Sequence, residues 1–249
     1  MKRLAILISG GGTTAEAIIK ACQEKRLRGI LPTIVISSRF DALGIQKAKN
    51  LGVKTIVISP KEFKSKKEFG KRLIRILKKY KIDLVSQNGW LPLTPKQVTE
   101  EYRGRIINQH PGPLDPGRKF DFGGKEMYGA RVMCARLAYA WLTKEKKPWT
   151  EATVHFANEQ YDKGDLLRTE KMSLPPLRGK FNEQILKEKT LELQKQLLPL
   201  EHKNVIESLR MLAKGEVKGF RRKKPLIHKK NEKILLKAKE IAFRLFPKG

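Results

Sequence analysis

Asn108 and His110 stand two residues apart in Ile107-Asn108-Gln109-His110-Pro111, at the end of a run from Arg105 to Asn108 that reads as a strand. Side chains at i and i+2 of an extended chain project to the same side, so an amide donor and a titratable imidazole converge on one point. Further along, Tyr161-Asp162-Lys163-Gly164 follows another short strand, Thr153 to Phe156. A strand histidine is as readily a packed structural residue, and Asp-x-Gly is an ordinary turn signal; the combination carries the argument. Asn108 and His110 can stabilise a developing oxyanion while Asp162 accepts a proton from an amine, which is equipment for acyl transfer. The sequence has no GxSxG elbow and no paired cysteines, so direct transfer without an acyl-enzyme is the simpler scheme.

A second group of residues could hold an anion. Ser9-Gly10-Gly11-Gly12-Thr13-Thr14 lies between a first strand and a first helix. Glycines let the backbone approach a phosphate there, and helix N-terminal amides point at it. Gly11, Gly12, Thr13 and Thr14 are the candidates. A dinucleotide fingerprint GxGxxG would need glycine where Ala15 stands, and Ser37-Ser38-Arg39 ends the second strand without an acidic residue. Ser38 and Arg39 could instead hold an adenosine 2′-phosphate, which keeps an NADP-dependent reductase as a rival reading.

The elements that must position these residues alternate through the first half. Leu4–Ile8, Thr33–Ile36, Thr55–Ile58, Ile82–Val85 and Arg105–Asn108 read as strands, with helices over Ala15–Cys22, Asp41–Asn50 and Lys66–Tyr80. Short continuous apolar runs with helical connections predict an open, mostly parallel twisted α/β sheet flanked by helices. The second half predicts a long helix over Met127–Lys144, strands at Thr153–Phe156 and near Leu166–Leu174, and a helix over Phe181–Lys214 kinked or divided at Pro199. An amphipathic helix over Glu232–Phe246 closes the chain, after the basic run RRKKPLIHKK. These features divide the chain into a domain of residues 1–219 and a basic extension of residues 220–249.

Composition narrows the function classes. The 249 residues are 40% apolar, with 54 Lys and Arg against 25 Asp and Glu, a formal charge of +29. A charge of this size suits nucleic acid or phosphorylated ligands, but it equally suits solvated helix faces. Cys22 and Cys134 form neither a disulfide framework nor a zinc motif, so no metal is expected. No apolar run reaches the roughly 18 residues of a membrane span, and the opening MKRLAILISGGG does not read as a signal peptide. The expectation is a soluble cytoplasmic protein, a monomer or homodimer. Its basic tail would bind nucleic acid nonspecifically, and a nucleic-acid-binding protein on an inactive scaffold is a further rival.

In this order, the motifs resemble those of the 10-formyltetrahydrofolate-dependent formyltransferases. ILISGGGTTAEAII is similar to the family's opening strand, phosphate loop and helix, and ISSRFDALGIQKAKNLGV to its second strand and helix. NGWLPLTP resembles the folate segment, INQHP the Asn-x-His-Pro signature, and ATVHFANEQYDKGDLL the segment with the essential Asp. The resemblance covers roughly residues 2–212 and implies a Rossmann-like formyltransferase fold with 10-formyltetrahydrofolate as co-substrate. It implies that Asn108 and His110 polarise the formyl carbonyl and that Asp162 positions His110 and relays protons. Lys66 would be a second cation for the phosphate, while Gly89, Trp90, Leu91 and Leu93 would line the pterin pocket. The implied acceptor is the amine of 5′-phosphoribosylglycinamide, with aminoacyl-tRNA or an amino sugar nucleotide as alternatives. Departures fall at Gly112-Pro113-Leu114-Asp115-Pro116, across residues 117–151, and in the late helix. There the ribonucleotide enzymes carry a Glu-His pair that touches the ribose, and Gln194-Lys195 is read in its place.

Overall fold

The computed structural model describes residues 1–249. Its centre is a seven-stranded sheet in the order β3-β2-β1-β4-β5-β6-β7. The strands are β1 (Lys2–Ile8), β2 (Ile30–Ser37), β3 (Lys54–Val57), β4 (Leu84–Asn88), β5 (Ile106–His110), β6 (Trp149–Phe156) and β7 (Leu166–Ser173). The first five run parallel, whereas β6 and β7 join antiparallel. The chain order reverses between β1 and β4, and such a switch point opens a crevice at the carboxyl ends of the strands.

The apolar run in β1 has two destinations because alternate residues face opposite sides. Leu4, Ile6 and Ile8 enter a core beneath helix α1 (Thr13–Gln23) and the later half of α6 (Glu183–Lys214). Ala5 and Leu7 enter a second core under α3 (Lys66–Lys79) and α4 (Lys96–Glu101). Helix α2 (Leu43–Asn50) starts against the glycine loop: Gly44 N–H donates to the Gly10 carbonyl at 3.0 Å, and a Cβ on Gly12 would lie 2.5 Å from Gly44 Cα. Gly12 also has φ +65°, so both conformation and space select glycine.

A third core lies away from these two. Helix α5 (Ala130–Leu142) is buried at every position from Ala130 to Trp141, and α7 (Glu232–Leu245) closes over it with Leu235, Ala238, Ile241 and Ala242. A helix apolar on nearly all sides must be covered on all sides. The region after residue 220 therefore supplies one wall of a core. Helix α6 runs unbroken through Pro199, which lies on its exposed face. There, water can satisfy the carbonyl that proline leaves without a helical donor. The short α4, opened by Pro95, has no counterpart in the apolar periodicity. No helix is long and apolar enough to cross a membrane.

Because Leu235 is fully buried and its neighbour Leu236 is half exposed, the pair tests how far α7 contributes to stability. Leu235→Ala should cost about 2–5 kcal/mol in denaturant unfolding. Leu236→Ala should stay within about 0.5 kcal/mol. Equal effects would show that α7 does not hold this core together.

Candidate active site

The carboxyl ends of β1, β4 and β5 open into a cavity of about 610 Å³. Gly10–Thr14 line it beyond β1, and Asn108, His110, His155 and Asp162 line it on the β5–β6 side, with β4 between. Helix α1 begins at Gly12 with no side-chain cap, so the first-turn N–H groups are left to whatever occupies the cavity beyond β1. Ser9 lies behind the loop, where its hydroxyl is 2.6 Å from the Ser38 hydroxyl and accepts the Leu91 N–H at 2.9 Å. Ser38 is thereby engaged, and Arg39 is paired in a fork with Asp41 at 2.6 and 2.9 Å.

On the β5–β6 side, strand pairing creates the contacts. The antiparallel register sets Asn108 on β5 directly across from His155 on β6. His155 Nδ1 is 2.8 Å from the Phe156 carbonyl, which places a proton on Nδ1 and leaves Nε2 to accept the Asn108 amide at 3.1 Å. The second Asn108 N–H makes only a long 3.4 Å contact with Asp162 Oδ1. The other carboxylate oxygen, Oδ2, accepts the Gly124 N–H at 2.8 Å and lies 3.7 Å from His110 Nδ1. At that separation Asp162 and His110 share no hydrogen bond. Asp162 has φ +56°. The turn is fixed from below by Gly164, where a Cβ would lie 1.7 Å from the Phe156 carbonyl oxygen.

Burial alone would raise the Asp162 pKa, but the neighbouring His110 and His155 imidazoles and the Gly124 amide outweigh it and bring the carboxyl down to about 2. Burial pushes His110 the opposite way, below the ordinary imidazole value, against the pull of Asp162. His110 Nε2 is buried and has no hydrogen-bond partner within the protein. The site thus sets a fixed anion beside an imidazole that resists protonation.

Gly11, Gly12, Thr13, Thr14, Asn108, His110 and Asp162 all line the cavity, as do Gly89, Leu91, Leu93 and Gln194. Trp90 borders it too, but its ring belongs to the core under α3, stacked on Phe69 with centroids 6.3 Å apart. Lys66 is not among the lining residues; it is the exposed first residue of α3, behind the N-cap Ser65. Nothing in the structure brings its charge to the glycine loop.

Three groups of lining residues were not anticipated. His155 reads in sequence as one more residue of an alternating strand. Lys125–Gly129 and Met133 form a wall from the segment that departs from the family pattern. The third is Glu201, which lines the cavity and is followed by His202. A Glu-His dipeptide thus stands at 201–202, seven residues beyond Gln194-Lys195. Seven residues are about two helical turns, so both registers place their first residue on the same face of α6. That face leads to the cavity.

An open α/β sheet whose crevice holds an uncapped helix N-terminus and a buried Asn–His–Asp group suits a transferase of the acyl-transfer kind. The chain belongs to the formyl transferase family, whose model matches residues 2–201. It is 28% identical over 234 residues to the chloroplastic phosphoribosylglycinamide formyltransferase of Arabidopsis thaliana, covering 92% of this chain and 71% of that protein. Among solved structures, glycinamide ribonucleotide transformylase 1 of Symbiobacterium toebii superposes with a TM-score of 0.70 at 27% identity, covering 88% of this chain and 94% of the other. The phosphoribosylglycinamide formyltransferase of Coxiella burnetii gives 0.68 at 28% identity over 86% and 88%.

Burial raises the Glu201 carboxyl to about 7, with only the Gln109 side chain acting against it. A carboxyl whose native pKa lies above its unfolded value of about 4.3 loses stability as pH rises between the two. Glu201→Gln cannot titrate. Its melting temperature relative to wild type should therefore increase from about pH 4 to about pH 7 and stay level above. A constant difference across that range would show that folding does not raise the Glu201 pKa.

Proposed function

We propose that the protein transfers the formyl group of 10-formyltetrahydrofolate to the amine of 5′-phosphoribosylglycinamide. Formyl transfer rests on the family. The choice of acceptor rests on the relatives' activities together with one observation: the Asn–His–Asp group and an uncapped helix N-terminus line a single cavity from different strands of the sheet. An acceptor with a phosphate at one end and an amine at the other fits that arrangement. Glu201, which lines the same cavity, suits hydroxyl groups of an intervening sugar. The folate segment Gly89–Leu93 offers backbone groups and the Leu91 and Leu93 side chains to the pterin, since the Trp90 ring is held in the core.

When the amine adds to the formyl carbon, negative charge develops on the carbonyl oxygen. The Asn108 N–H that makes only the long contact to Asp162 is the donor available to it. The unpaired Nε2 of His110 can take the proton released by the amine. A cation then forms beside the Asp162 carboxylate, whose negative charge stabilises it. Passing that proton to N10 of the folate as the carbon–N10 bond breaks returns His110 to its neutral state. The bond to the new nitrogen replaces the bond to N10, and the single proton is conserved.

Asp162→Asn tests this sequence cleanly, because asparagine tolerates the left-handed backbone that Asp162 adopts. The variant should fold and lose about 10²–10⁴-fold in turnover, the usual contribution of an acid–base group. Activity within a few-fold of wild type would exclude Asp162 from the reaction. Replacing Thr13 and Thr14 by Ala should raise the acceptor KM and leave the folate KM unchanged. Unaltered acceptor kinetics would reduce the loop to a turn. Assaying aminoacyl-tRNA beside phosphoribosylglycinamide decides between acceptors: formyl transfer to tRNA alone would overturn the substrate proposed.

A further inference from the structure

We propose that the region beyond the family match is a working part of the active site: Lys239, on α7, is a positioning residue that holds the Gly123–Gly124 peptide so that its N–H fixes the Asp162 carboxylate. This inference rests on the reading of Asp162 as a group of the reaction.

A single peptide unit carries the link. The Gly123 carbonyl accepts a hydrogen bond from Lys239 Nζ at 2.7 Å. The N–H of the same planar unit, that of Gly124, donates to Asp162 Oδ2 at 2.8 Å. Hydrogen bonds in series polarise one another, so an ammonium on the carbonyl strengthens the amide as a donor to the carboxylate. The orientation of the unit is fixed as well. Gly123 N–H donates to Asp121 Oδ1 at 3.0 Å, and Asp121 Oδ2 takes Lys163 Nζ at 3.0 Å, from the residue next to Asp162. A Cβ on Gly123 would come within 2.7 Å of the Asp162 Cβ, so the peptide approaches only because that residue is glycine.

The lysine itself is unusual for a helix near the end of a basic segment. A helix lysine ordinarily extends its ammonium into water, whereas Lys239 turns inward and is half buried. Desolvation disfavours its charge, opposed by Asp121 and Asp162. The rest of the segment holds the same wall. Arg118 donates to the carbonyls of Arg222 and Lys223, both at 3.1 Å, and Leu226 N–H donates to Asp115 Oδ2 at 3.1 Å. Arg131 joins the carbonyl of Glu126, on the cavity, to those of Phe246 and Pro247. Residues 220–249 thereby frame the segment from Asp115 to Arg131 that supplies one side of the cavity, and Lys239 is the member of that frame joined to Asp162 by a single peptide.

Lys239→Met keeps the length and apolar stem and removes the donor and the charge. Its kcat should fall about tenfold, the loss of one charge-assisted hydrogen bond, with both KM values within twofold of wild type. Lys239→Arg should recover most of the loss. On an Asp162→Asn background, Lys239→Met should cost nothing further, because residues that act as a unit are not additive. An unchanged kcat, or the same tenfold loss on both backgrounds, would overturn the proposal. The Gly124 amide proton resonance gives a reading independent of turnover, and it should move upfield in Lys239→Met as its hydrogen bond weakens. An unmoved resonance would also overturn the link. If Lys239→Met does not fold, Lys239→Gln serves for the same measurements. A wild-type enzyme without formyl transfer would count against the proposed reaction, while the Gly124 resonance would still decide the Lys239 link.

Discussion

A carboxylate with almost no access to water has to be surrounded by compensating groups or it will take up a proton. Asp162 is 8% exposed and still ionises below the usual carboxylate range. Meeting that requirement accounts for much of the local architecture. The antiparallel attachment of β6 brings His155 opposite Asn108 and starts the turn that carries Asp162. Gly164 lets that turn pass against the Phe156 carbonyl, and Gly123 lets a peptide approach from the other side. Burial disfavours the charged form of His110, and the end of β5 holds it close to the anion.

The same electrostatic demand gives part of the positive excess a structural meaning. Three acids buried near the cavity, Asp115, Asp121 and Glu151, each face a base: Arg118, Lys163 and Arg222 respectively. Arg222 comes from the basic run after residue 220, and it also donates to the Leu114 carbonyl at 2.6 Å. Arg221 in the same run pairs with Asp165, three residues past Asp162. Bases that look in sequence like a tail for binding polyanions are partly committed to acids of the chain's own fold. Lys223, Lys224, Lys229 and Lys230 remain exposed.

What the sequence made legible follows from which signals are local. Buried parallel strands declare themselves as short apolar runs, and the glycine loop and Asn108–His110 lie at strand ends where chemistry is expected. Strand direction is not encoded in a period of two, so the antiparallel addition of β6 and β7 was invisible, and with it the pairing that brings His155 to Asn108. Glu201 was missed because a shift of two helical turns leaves an amphipathic face unchanged. Trp90 lines the cavity, and only the packed structure shows Phe69 stacked on its ring. Lys66 could be linked to the phosphate loop only by analogy, since its own surroundings in sequence say nothing of where α3 begins in space. The wall from Lys125 to Gly129 and the role of α7 depend on contacts over a hundred residues apart, such as Lys239 with Gly123, and no window of sequence contains both partners.

The enclosure of α5 has a consequence for how the chain is made. During synthesis, residues 130–142 leave the ribosome well before residues 232–245, which cover them. Native contacts between segments so far apart must wait for loop closure. In the interval the sheet can form around β1, β4 and β5 while a nearly all-apolar helix lacks its partner. Such a surface invites association with other chains or with a chaperone. The cavity wall that α7 braces is therefore the last part of the site to be completed, and a stalled nascent chain would carry a finished glycine loop beside an unfinished catalytic end.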